Sequence, residues 1–407
     1  MKVLFVVLDG MADVSHGELS WKTPLQAASA PVLDLLAEEG CCALMYPLAP
    51  GVCPSSEVAH WSMFGYRLEE FPGRTYLHAL AAGIPCDEGD ALFMLNLVPV
   101  ERKEGRLFVR DGSGLPVADI CAAWEKRLRG IAAPAIELHY LGGVEFIAVV
   151  RGGSSGVLPT DPFLHHLPIA PLRAPGGGDD EEAVEGTLRA LRGFMAAAGE
   201  AVSREEGPSK GEMGLIMKWP SRAASVEVFE ERYGMRAAAV VSTPCFEGMG
   251  KLLGMRVAKA GEKGAEEDLA AKLAEAVELL ARGSEFVFVH SKHADEAAHT
   301  GEPGAKVKVI EGFDRALAGF LTALRDPDLL TVITSDHSTP STRDPRVIHG
   351  GDPVPVVFHG VTVRRDGLRS FDEVSAASGG MGQIGGRDLM PLILYLSRRA
   401  LFFTGQT

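Results

Sequence analysis

The segment HSKHADEAAH, residues 290–299, places three histidines and two carboxylates directly after the apolar run FVFV. Asp295 and His299 stand four residues apart, so a helix would carry both side chains on one face. Carboxylates and imidazoles are ligands that suit Mn or Zn in proteins. The spacing indicates half of a metal site, although a single pair of this kind is more often part of a solvated helix face.

Residues of the same kind adjoin other apolar runs of the chain. Asp9 ends the run KVLFVVL, and Asp336 with His337 follows LLTVITS. His349 precedes the segment GGDPVPVVFHG. In an open α/β sheet, functional groups collect at the carboxyl ends of the strands, so we expect these residues to lie near one another. Two such clusters predict two metal ions, as in sites where one ion contacts each reacting oxygen of a phosphoryl transfer.

A nucleophile for such chemistry is offered by the segment GVCPSSEVAHWSMFGY, residues 51–66. Ser55 and Ser56 lie in a turn just before a predicted short helix. The free amides and the positive dipole end of a helix start form a favourable site for a phosphate group. One of the serines could instead serve only as the helix N-cap, which is the commoner use of serine there. The residues alone leave both interpretations open.

Buried-strand patterns and amphipathic helices alternate along both ends of the chain. The runs KVLFVVL, RAAAVV, EFVFVHS, LLTVITS and VPVVFH are mostly apolar, as in strands that are buried on both faces. Long amphipathic segments such as DLAAKLAEAVELLARG lie between them. This alternation predicts an α/β fold with a parallel sheet and helices on both of its faces.

The middle of the chain has a different character, with short strand-like runs among helical segments. We therefore predict a discontinuous α/β domain formed by residues 1–76 and 233–407, with a smaller α+β domain, residues 77–232, inserted into it. The length of 407 residues supports two domains, because single hydrophobic cores seldom grow beyond about 300 residues. The sequence leaves the oligomeric state open.

Charge and composition exclude several classes of partner. The formal net charge of −14 argues against a nucleic-acid binder, which would need a basic face. A small anionic substrate stays compatible, because bound cations reverse the local sign of charge. No apolar run reaches the length of a membrane span, and the first strand is too short for a signal peptide. The six cysteines show no C-x-x-C spacing, as expected of reduced thiols in a cytoplasmic protein.

Taken together, the words of both terminal segments resemble one known family, the cofactor-independent phosphoglycerate mutases of archaeal type, within the alkaline phosphatase superfamily. The matching words, in the order of the family, are VVLDGMAD, KTPLQAASAPVLDLLAEEG, PSSEVAHWSMFGY, HSKHADEAAHTGEPGAKVKVIEGFD, TSDHSTP, HGGDPVPVVFHG and GMGQIGGRDLMPLILYL. The resemblance implies an alkaline-phosphatase-like fold, with a mainly parallel sheet between helices and an inserted substrate-binding domain. It also implies interconversion of 3-phosphoglycerate and 2-phosphoglycerate through a phosphoserine.

The resemblance assigns roles to residues of the matching words. Ser56 is similar to the nucleophile that becomes phosphoserine, and Lys292 to a phosphate or substrate contact. Two divalent ions are implied, Mn or Zn, with Mg as a further candidate. The implied ligands of the first ion are Asp9, Ser56, Asp336 and His337. The implied ligands of the second ion are Asp295, His299 and His349.

The inserted segment departs from the family pattern, for example at Pro159, where the family has a carboxylate. The remaining substrate-binding candidates are Arg74, just before this segment, and Asn96, Arg110, Arg151 and Asp161 within it. Because the insert differs, a related phosphotransferase or phosphatase with another substrate, similar to a homoserine kinase, remains an alternative. An alternative from another class is a metal-stabilised binding protein with an inactive site, against which the complete set of ligand-type residues argues.

Overall fold

The computed structural model describes residues 1–111, 117–132, 136–176, 180–203 and 212–400. The chain forms two compact units. The first unit consists of Met1–Phe71 and Glu227–Thr407, and the inserted unit is Pro72–Val226. Each boundary lies a few residues from the position that the sequence predicted.

Strands and helices occur in both units. Within the described ranges, the strands are β1 (Lys2–Leu8), β2 (Cys41–Tyr46), β3 (Ala91–Lys103), β4 (Arg106–Val109), β5 (Glu137–Gly142), β6 (Glu145–Val150), β7 (Glu212–Arg222), β8 (Ala237–Val241), β9 (Arg256–Lys259), β10 (Phe286–Ser291), β11 (Leu329–Thr334), β12 (Val354–His359) and β13 (Gly382–Gly385). The α-helices of the same ranges are α1 (Pro24–Ala27), α2 (Pro31–Glu39), α3 (Ser56–Met63), α4 (Arg74–Ala82), α5 (Val117–Ala132), α6 (Glu181–Ser203), α7 (Phe229–Tyr233), α8 (Pro244–Leu252), α9 (Ala265–Ala281), α10 (His293–Ala298), α11 (Pro303–Gly319), α12 (Leu321–Leu324), α13 (Glu373–Ala376) and α14 (Leu389–Leu396). Short 3-10 helices cover Gly17–Leu19, Leu68–Glu70 and Gly386–Asp388.

The first unit is built on an eight-stranded sheet with the order β13-β2-β12-β11-β1-β10-β8-β9. Strands β9, β8, β10, β1 and β11 are parallel neighbours. Strand β12 pairs antiparallel with β11 and with β2, while β13 is parallel to β2. The sheet is therefore mainly parallel, and β12 alone of these eight strands runs in the opposite direction. This confirms the predicted fold class.

Alternating side chains of β1 pack against different layers of helices. Leu4 and Val6 belong to a core with residues of α2, α9 and α11, for example Leu36, Leu273 and Phe313. Phe5 points to the opposite layer, where its ring centroid lies 6.1 Å from that of Phe64, just after α3. Since buried strands have a side-chain period of two, the sheet is covered on both faces, as the mostly apolar runs predicted.

The helix break that the sequence predicts at Pro31 is present. Helix α1 ends at Ala27, and α2 begins with Pro31 at its first turn. A proline is tolerated there because its missing N–H would have no partner inside the helix. Gly40 follows α2 directly, and a Cβ at this position would overlap the Phe358 carbonyl oxygen.

The inserted unit is built on an antiparallel sheet in which the long strand β3 pairs with β4, β6 and β7. Phe93 and Leu95 face a core formed with α5 and α6, through residues such as Leu128 and Leu191. The other face of the sheet packs against Ala79 of α4. Helices on an antiparallel sheet are the α+β arrangement that the sequence predicted.

The contacts near the boundaries explain where the inserted unit begins and ends. Thr75 of α4 is tied to β7: its N–H donates to Ser221 Oγ at 2.9 Å, and its Oγ1 donates to the Trp219 carbonyl at 2.6 Å. Helix α4 therefore belongs to the inserted unit from its first turn. Phe229 of α7 instead packs in the first unit, where its ring centroid is 4.7 Å from that of Phe286.

Two further features bear on the environment of the protein. Among the residues that the structure describes, no helix combines the length and the apolar character needed to cross a membrane. All six cysteines are free thiols, and most of them are buried.

Candidate metal centre

The ligand-type residues at the ends of β1, β10 and β11 lie at one edge of the first unit's sheet. The register pairs Leu8 with Ser291 of β10, and the preceding residue with Thr334 of β11. The Asp9 N–H donates to the Ser291 carbonyl at 2.9 Å, and the Asp295 N–H donates to the Asp9 carbonyl at 2.9 Å. Because these strands are parallel and in register, their carboxyl ends bring residues distant in sequence together.

Three side chains converge on the Nε2 atom of His337, which makes a cluster of four. Ser56 Oγ lies 3.0 Å from it, and Asp9 Oδ1 and Asp336 Oδ2 each lie 3.3 Å from it. Both carboxylate oxygens are buried and have no hydrogen-bond partner among the described residues. These four side chains are the set that the resemblance assigns to the first ion. A buried carboxylate oxygen without a partner is costly, so a cation at this point would satisfy both oxygens.

A second group converges on Asp295 Oδ1. His299 Nε2 lies 3.2 Å from this oxygen, and His349 Nε2 lies 3.7 Å from it. Asp295, His337 and His349 offer ligand atoms within 4.8 Å of one another. His299 touches Asp295 but stands outside that mutual group, and its side chain is 43% exposed. His337 belongs to both groups, so the two candidate sites adjoin.

The hydrogen bonds of two histidines fix which ring nitrogen carries the proton. Thr339 Oγ1 lies 3.0 Å from the Asp295 carboxylate and 3.0 Å from His337 Nδ1, and both contacts are hydrogen bonds only when Thr339 donates to Asp295 and His337 donates from Nδ1. His349 Nδ1 lies 2.7 Å from the Pro54 carbonyl, which only accepts. Both rings therefore turn the lone pair of Nε2 toward carboxylate oxygens. A nitrogen lone pair and a carboxylate oxygen repel each other unless a cation lies between them. This arrangement is typical of metal ligands.

The pKa shifts in the centre also support a cation site. Burial raises the pKa of Asp9 well above its ordinary value, and the negative charges of Asp336 and Asp295 raise it further. Burial also raises the pKa of Asp336. Burial lowers the pKa of His337 far below that of a free imidazole, as does the neighbouring His349. The neutral imidazole of His337 beside crowded carboxylates fits a divalent cation, which favours the ionised form of each carboxylate.

The nucleophile candidate Ser56 is the first residue of α3, and Ser55 is the residue before the helix. Ser55 has extended backbone, but its side chain makes no capping hydrogen bond. The Ser56 hydroxyl instead faces His337, as described above. The two serines thus have distinct places: Ser55 has the backbone position of an N-cap, and Ser56 belongs to the cluster.

Sequence reasoning did not assign a role to two buried histidines beside the carboxylates. His290 Nε2 lies 3.1 Å from Asp9 Oδ2, the oxygen that does not face His337. His60 Nδ1 lies 2.7 Å from the Ser56 carbonyl and 3.6 Å from Asp336 Oδ2. Burial lowers the pKa of His60 to about 4, so the ring is neutral. The sequence did contain a signal for His60, because this residue follows Ser56 by four positions and so lies on the same helix face.

Gly10 permits the close approach of the two ligand groups. Its φ of +63° lies in the left-handed region, which favours glycine. A Cβ at this position would meet Thr339 Oγ1 at 2.5 Å and the Cβ of Asp295 at 2.8 Å. Both the backbone conformation and the close packing therefore explain why a glycine follows Asp9.

Lys292, the predicted phosphate or substrate contact, lies at the border of the centre. Its Nζ is 4.0 Å from Asp295 Oδ2, and its side chain is 41% exposed. It also lines a cavity of about 610 Å³ in the first unit, together with Ser242, Lys259 and Lys263. A cation that is half exposed beside the ligand cluster can reach an anionic substrate.

In the inserted unit, some of the predicted substrate residues lie around Trp219. The Arg74 guanidinium lies 4.2 Å from the centroid of the Trp219 ring, and Lys218 Nζ lies 4.6 Å from it. Lys218 Nζ is also 3.9 Å from the Asp161 carboxylate. Burial lowers the pKa of Lys218, and the charge of Asp161 opposes that shift. Asn96 is buried in β3, and its Oδ1 has no hydrogen-bond partner among the described residues.

The two remaining substrate candidates lie elsewhere in the inserted unit. Arg110 is exposed just after β4, and its N–H donates to the Pro99 carbonyl at 2.8 Å. Arg151 donates to Asp90 Oδ2 at 2.6 Å and to Glu137 Oε2 at 2.5 Å. These contacts favour a structural role for Arg151, and its part in substrate binding stays a prediction.

The fold and the site together define a class of protein. A mainly parallel sheet that carries carboxylates and imidazoles at its strand ends matches the Metalloenzyme superfamily, whose family model covers residues 1–396 of this chain. The structure of the PH0037 protein from Pyrococcus horikoshii is similar, with a TM-score of 0.80, 26% identity, and coverage of 99% of this chain and 98% of that one.

Two further comparisons are more specific. The 2,3-bisphosphoglycerate-independent phosphoglycerate mutase 2 of Methanocaldococcus jannaschii is 33% identical over 423 residues, which cover 99% of this chain and 95% of the relative. The structure of the cofactor-independent phosphoglycerate mutase from Thermoplasma acidophilum has a TM-score of 0.66 and 25% identity, with coverage of 98% of this chain and 100% of that one. The chain belongs to the family of 2,3-bisphosphoglycerate-independent phosphoglycerate mutases, which confirms the predicted resemblance.

Proposed function

We propose that this protein interconverts 3-phosphoglycerate and 2-phosphoglycerate as a metal-dependent phosphotransferase, with a phosphoserine at Ser56 as the intermediate. The observation that carries the proposal is the convergence of Ser56 Oγ with Asp9 and Asp336 on His337 Nε2, at 3.0–3.3 Å. A hydroxyl at a helix start, held among metal-type ligands, has the arrangement of an activated nucleophile for phosphoryl transfer. The family of the chain supports the same reaction.

The proposed reaction has two transfers. Ser56 Oγ bonds to the phosphorus of the substrate while the ester bond to the glycerate oxygen breaks, and that oxygen takes up the proton that the serine gives up. The glycerate then turns, so that its other hydroxyl oxygen bonds to phosphorus while the Ser56 Oγ–P bond breaks, and Ser56 Oγ takes up the proton of that hydroxyl. The amides at the start of α3 contribute donors for the phosphoryl oxygens.

The family resemblance assigns the residues that would hold two divalent ions, and the convergence of their ligand atoms supports the assignment. Asp9, Asp336, His337 and Ser56 would hold one ion, and Asp295, His349 and His299 the other. Bound ions supply charge neutralisation at the phosphoryl oxygens and lower the pKa of the serine hydroxyl. The mixture of carboxylate and imidazole favours Mn or Zn over Mg, which prefers oxygen ligands.

The inserted unit supplies the residues for the organic part of the substrate. Arg74 and Lys218, both close to the Trp219 ring, are cations that would bind the carboxylate of phosphoglycerate. Charge-assisted hydrogen bonds of this type contribute roughly 1.5–3 kcal/mol each. Lys218 would offer a basic group in an insert that lacks several family residues.

Substrate specificity is tested by an activity panel on the full chain with Mn or Zn present. The panel compares 3-phosphoglycerate, homoserine with ATP, and a generic phosphate ester. We expect turnover of 3-phosphoglycerate, together with a phosphorylated peptide that contains Ser56 in the mass spectrum of rapidly quenched enzyme. Activity confined to homoserine or to the generic ester would replace the mutase proposal by the related phosphotransferase or phosphatase.

A cytoplasmic location and a small phosphorylated partner complete the proposal. The location is supported by the six free thiols, since disulfides form chiefly in oxidising compartments. The net charge of −14 agrees with a partner other than nucleic acid.

A further inference from the structure

We propose that Thr339 is a positioning residue that couples the two metal-ligand groups through its hydroxyl. This inference rests on the proposed function insofar as it treats the two groups as metal sites. Thr339 is fully buried and is neither a nucleophile candidate nor one of the assigned ligands.

The hydroxyl of Thr339 contacts a ligand of each group. It donates to Asp295 Oδ1 at 3.0 Å and accepts from His337 Nδ1 at 3.0 Å. A hydroxyl has one proton and an ionised carboxylate can only accept, so one arrangement satisfies both contacts: Thr339 donates to Asp295, and His337 Nδ1 donates to Thr339. One side chain therefore sets the tautomer of His337 and the orientation of Asp295 at the same time.

The backbone of Thr339 is held from two sides, which fixes the hydroxyl in place. Its N–H donates to the Ala12 carbonyl at 2.9 Å. Its carbonyl accepts from the buried Lys306 Nζ at 2.8 Å. Gly10 leaves room for the hydroxyl, because a Cβ there would overlap Thr339 Oγ1. The surroundings thus determine the position of this one oxygen.

The loss of this hydroxyl would affect both groups together. Without an acceptor at Nδ1, His337 loses the contact that keeps the lone pair of Nε2 directed at Asp9 and Asp336. Asp295 loses a donor at the same oxygen that faces His299 and His349. Removal of a residue that orients a metal ligand typically weakens metal affinity by about 10–100-fold. Here one substitution should weaken the binding of both ions.

The test compares Thr339→Val, which replaces the hydroxyl by a methyl group, with Thr339→Ser, which keeps the hydroxyl. Thr331→Val is the matched control, because Thr331 is a buried threonine of β11 whose hydroxyl donates to the Leu324 carbonyl. Chelator-treated full-length protein is titrated with MnCl₂ in a calorimeter, and folding is checked by circular dichroism. We expect Thr339→Val to bind Mn about 10–100-fold more weakly, with Thr339→Ser and Thr331→Val close to the wild type.

A second measurement needs no metal and no substrate. The ¹⁵N chemical shifts of the His337 ring, in chelator-treated protein, should show protonated Nδ1 in the wild type and in Thr339→Ser. They should show a mixed or reversed tautomer in Thr339→Val, and Thr339→Ala serves in its place if the valine variant does not fold. A folded Thr339→Val protein with unchanged Mn affinity and an unchanged His337 tautomer would overturn the inference.

These readouts separate the two proposals. Failure of the protein to turn over 3-phosphoglycerate contradicts the proposed function and leaves the effect on Mn affinity to be measured. Active wild-type enzyme with no effect of Thr339→Val on either readout contradicts the role of Thr339 alone.

Discussion

The metal centre of the first unit and the substrate candidates of the inserted unit differ in how the chain holds them. Asp9, Asp336 and His337 are at most 1% exposed, and backbone atoms or buried side chains fix their orientation. Arg110 and Arg151 are exposed, and Arg151 donates to the buried Asp90 and to the exposed Glu137. The ligand-type groups of the metal centre are thus fixed by tertiary structure, whereas these two arginines of the inserted unit lie on its surface.

The difference has a physical reason. Transfer of a phosphoryl group requires a nucleophile and cations at defined positions, and small displacements cost large factors in rate. Recognition of a carboxylate requires only a cation within reach, so several positions of arginine or lysine can serve. We therefore expect substitutions in the metal centre to have larger effects than substitutions in the insert.

The largest effect is expected for Ser56→Ala, which removes the proposed nucleophile. Activity should fall on the order of 10⁴-fold or more, because the hydroxyl that forms the proposed phosphoester is absent. Folding should be retained, and the phosphorylated peptide should be absent from the mass spectrum. Ser55→Ala is the matched control and should keep activity within about 3-fold of the wild type. An essential Ser55 with a dispensable Ser56 would exchange the roles of the two serines.

The next effect concerns stability, through the buried ion pair of Lys306 and Asp13. Lys306 Nζ lies 3.1 Å from Asp13 Oδ2, and neither side chain is exposed. Lys306→Met should lower the free energy of unfolding by about 3–5 kcal/mol, because the buried Asp13 loses its lysine partner and keeps only its contacts with Ser341 and His16. Lys308→Met, at an exposed position on the same helix, should change it by less than about 0.5 kcal/mol. Urea unfolding gives the free energy of unfolding of both variants. Equal values would show that the ion pair contributes little to stability.

In the inserted unit, Lys218→Met should act on substrate binding. KM for 3-phosphoglycerate should rise by roughly 10–100-fold, since a charge-assisted contact is lost. Mn affinity, measured by calorimetry, should stay unchanged, which separates the substrate site from the metal centre. Lys103→Met removes an exposed cation of the same unit and should leave KM unaltered. An unchanged KM for Lys218→Met would assign the carboxylate to other residues.

The smallest effect is expected for Arg151→Met. Its ion pairs with Asp90 and Glu137 are at a side chain that is 42% exposed, and such pairs contribute about 0–1 kcal/mol to stability. KM should stay within about 2-fold of the wild type if the arginine is structural. Arg102→Met, which removes a similar surface pair with Glu212, provides the comparison. A tenfold rise in KM for Arg151→Met alone would return this residue to the substrate site.

Much of the metal centre could be predicted from the sequence, because strand ends are visible in the pattern of residues. Asp9 and Asp336 directly follow runs of buried apolar residues, and parallel strands place such positions at one edge. The spacing of Asp295 and His299 indicated a shared helix face, and the His299 N–H indeed donates to the Asp295 carbonyl at 3.0 Å. The break at Pro31 and the division into two units also follow from local composition.

Other features depended on the tertiary structure alone. His349 precedes its strand, and it joins the centre because β12 runs antiparallel to β11, a direction that local periodicity does not encode. The roles of His60, His290 and Thr339 follow from burial against partners up to 281 residues away in the chain. The sequence by itself determined which residue types stand at the strand ends, since composition and period are local properties. Only the packing of the sheet decided which of these atoms meet, because distances below 4 Å between remote residues arise from strand order and direction.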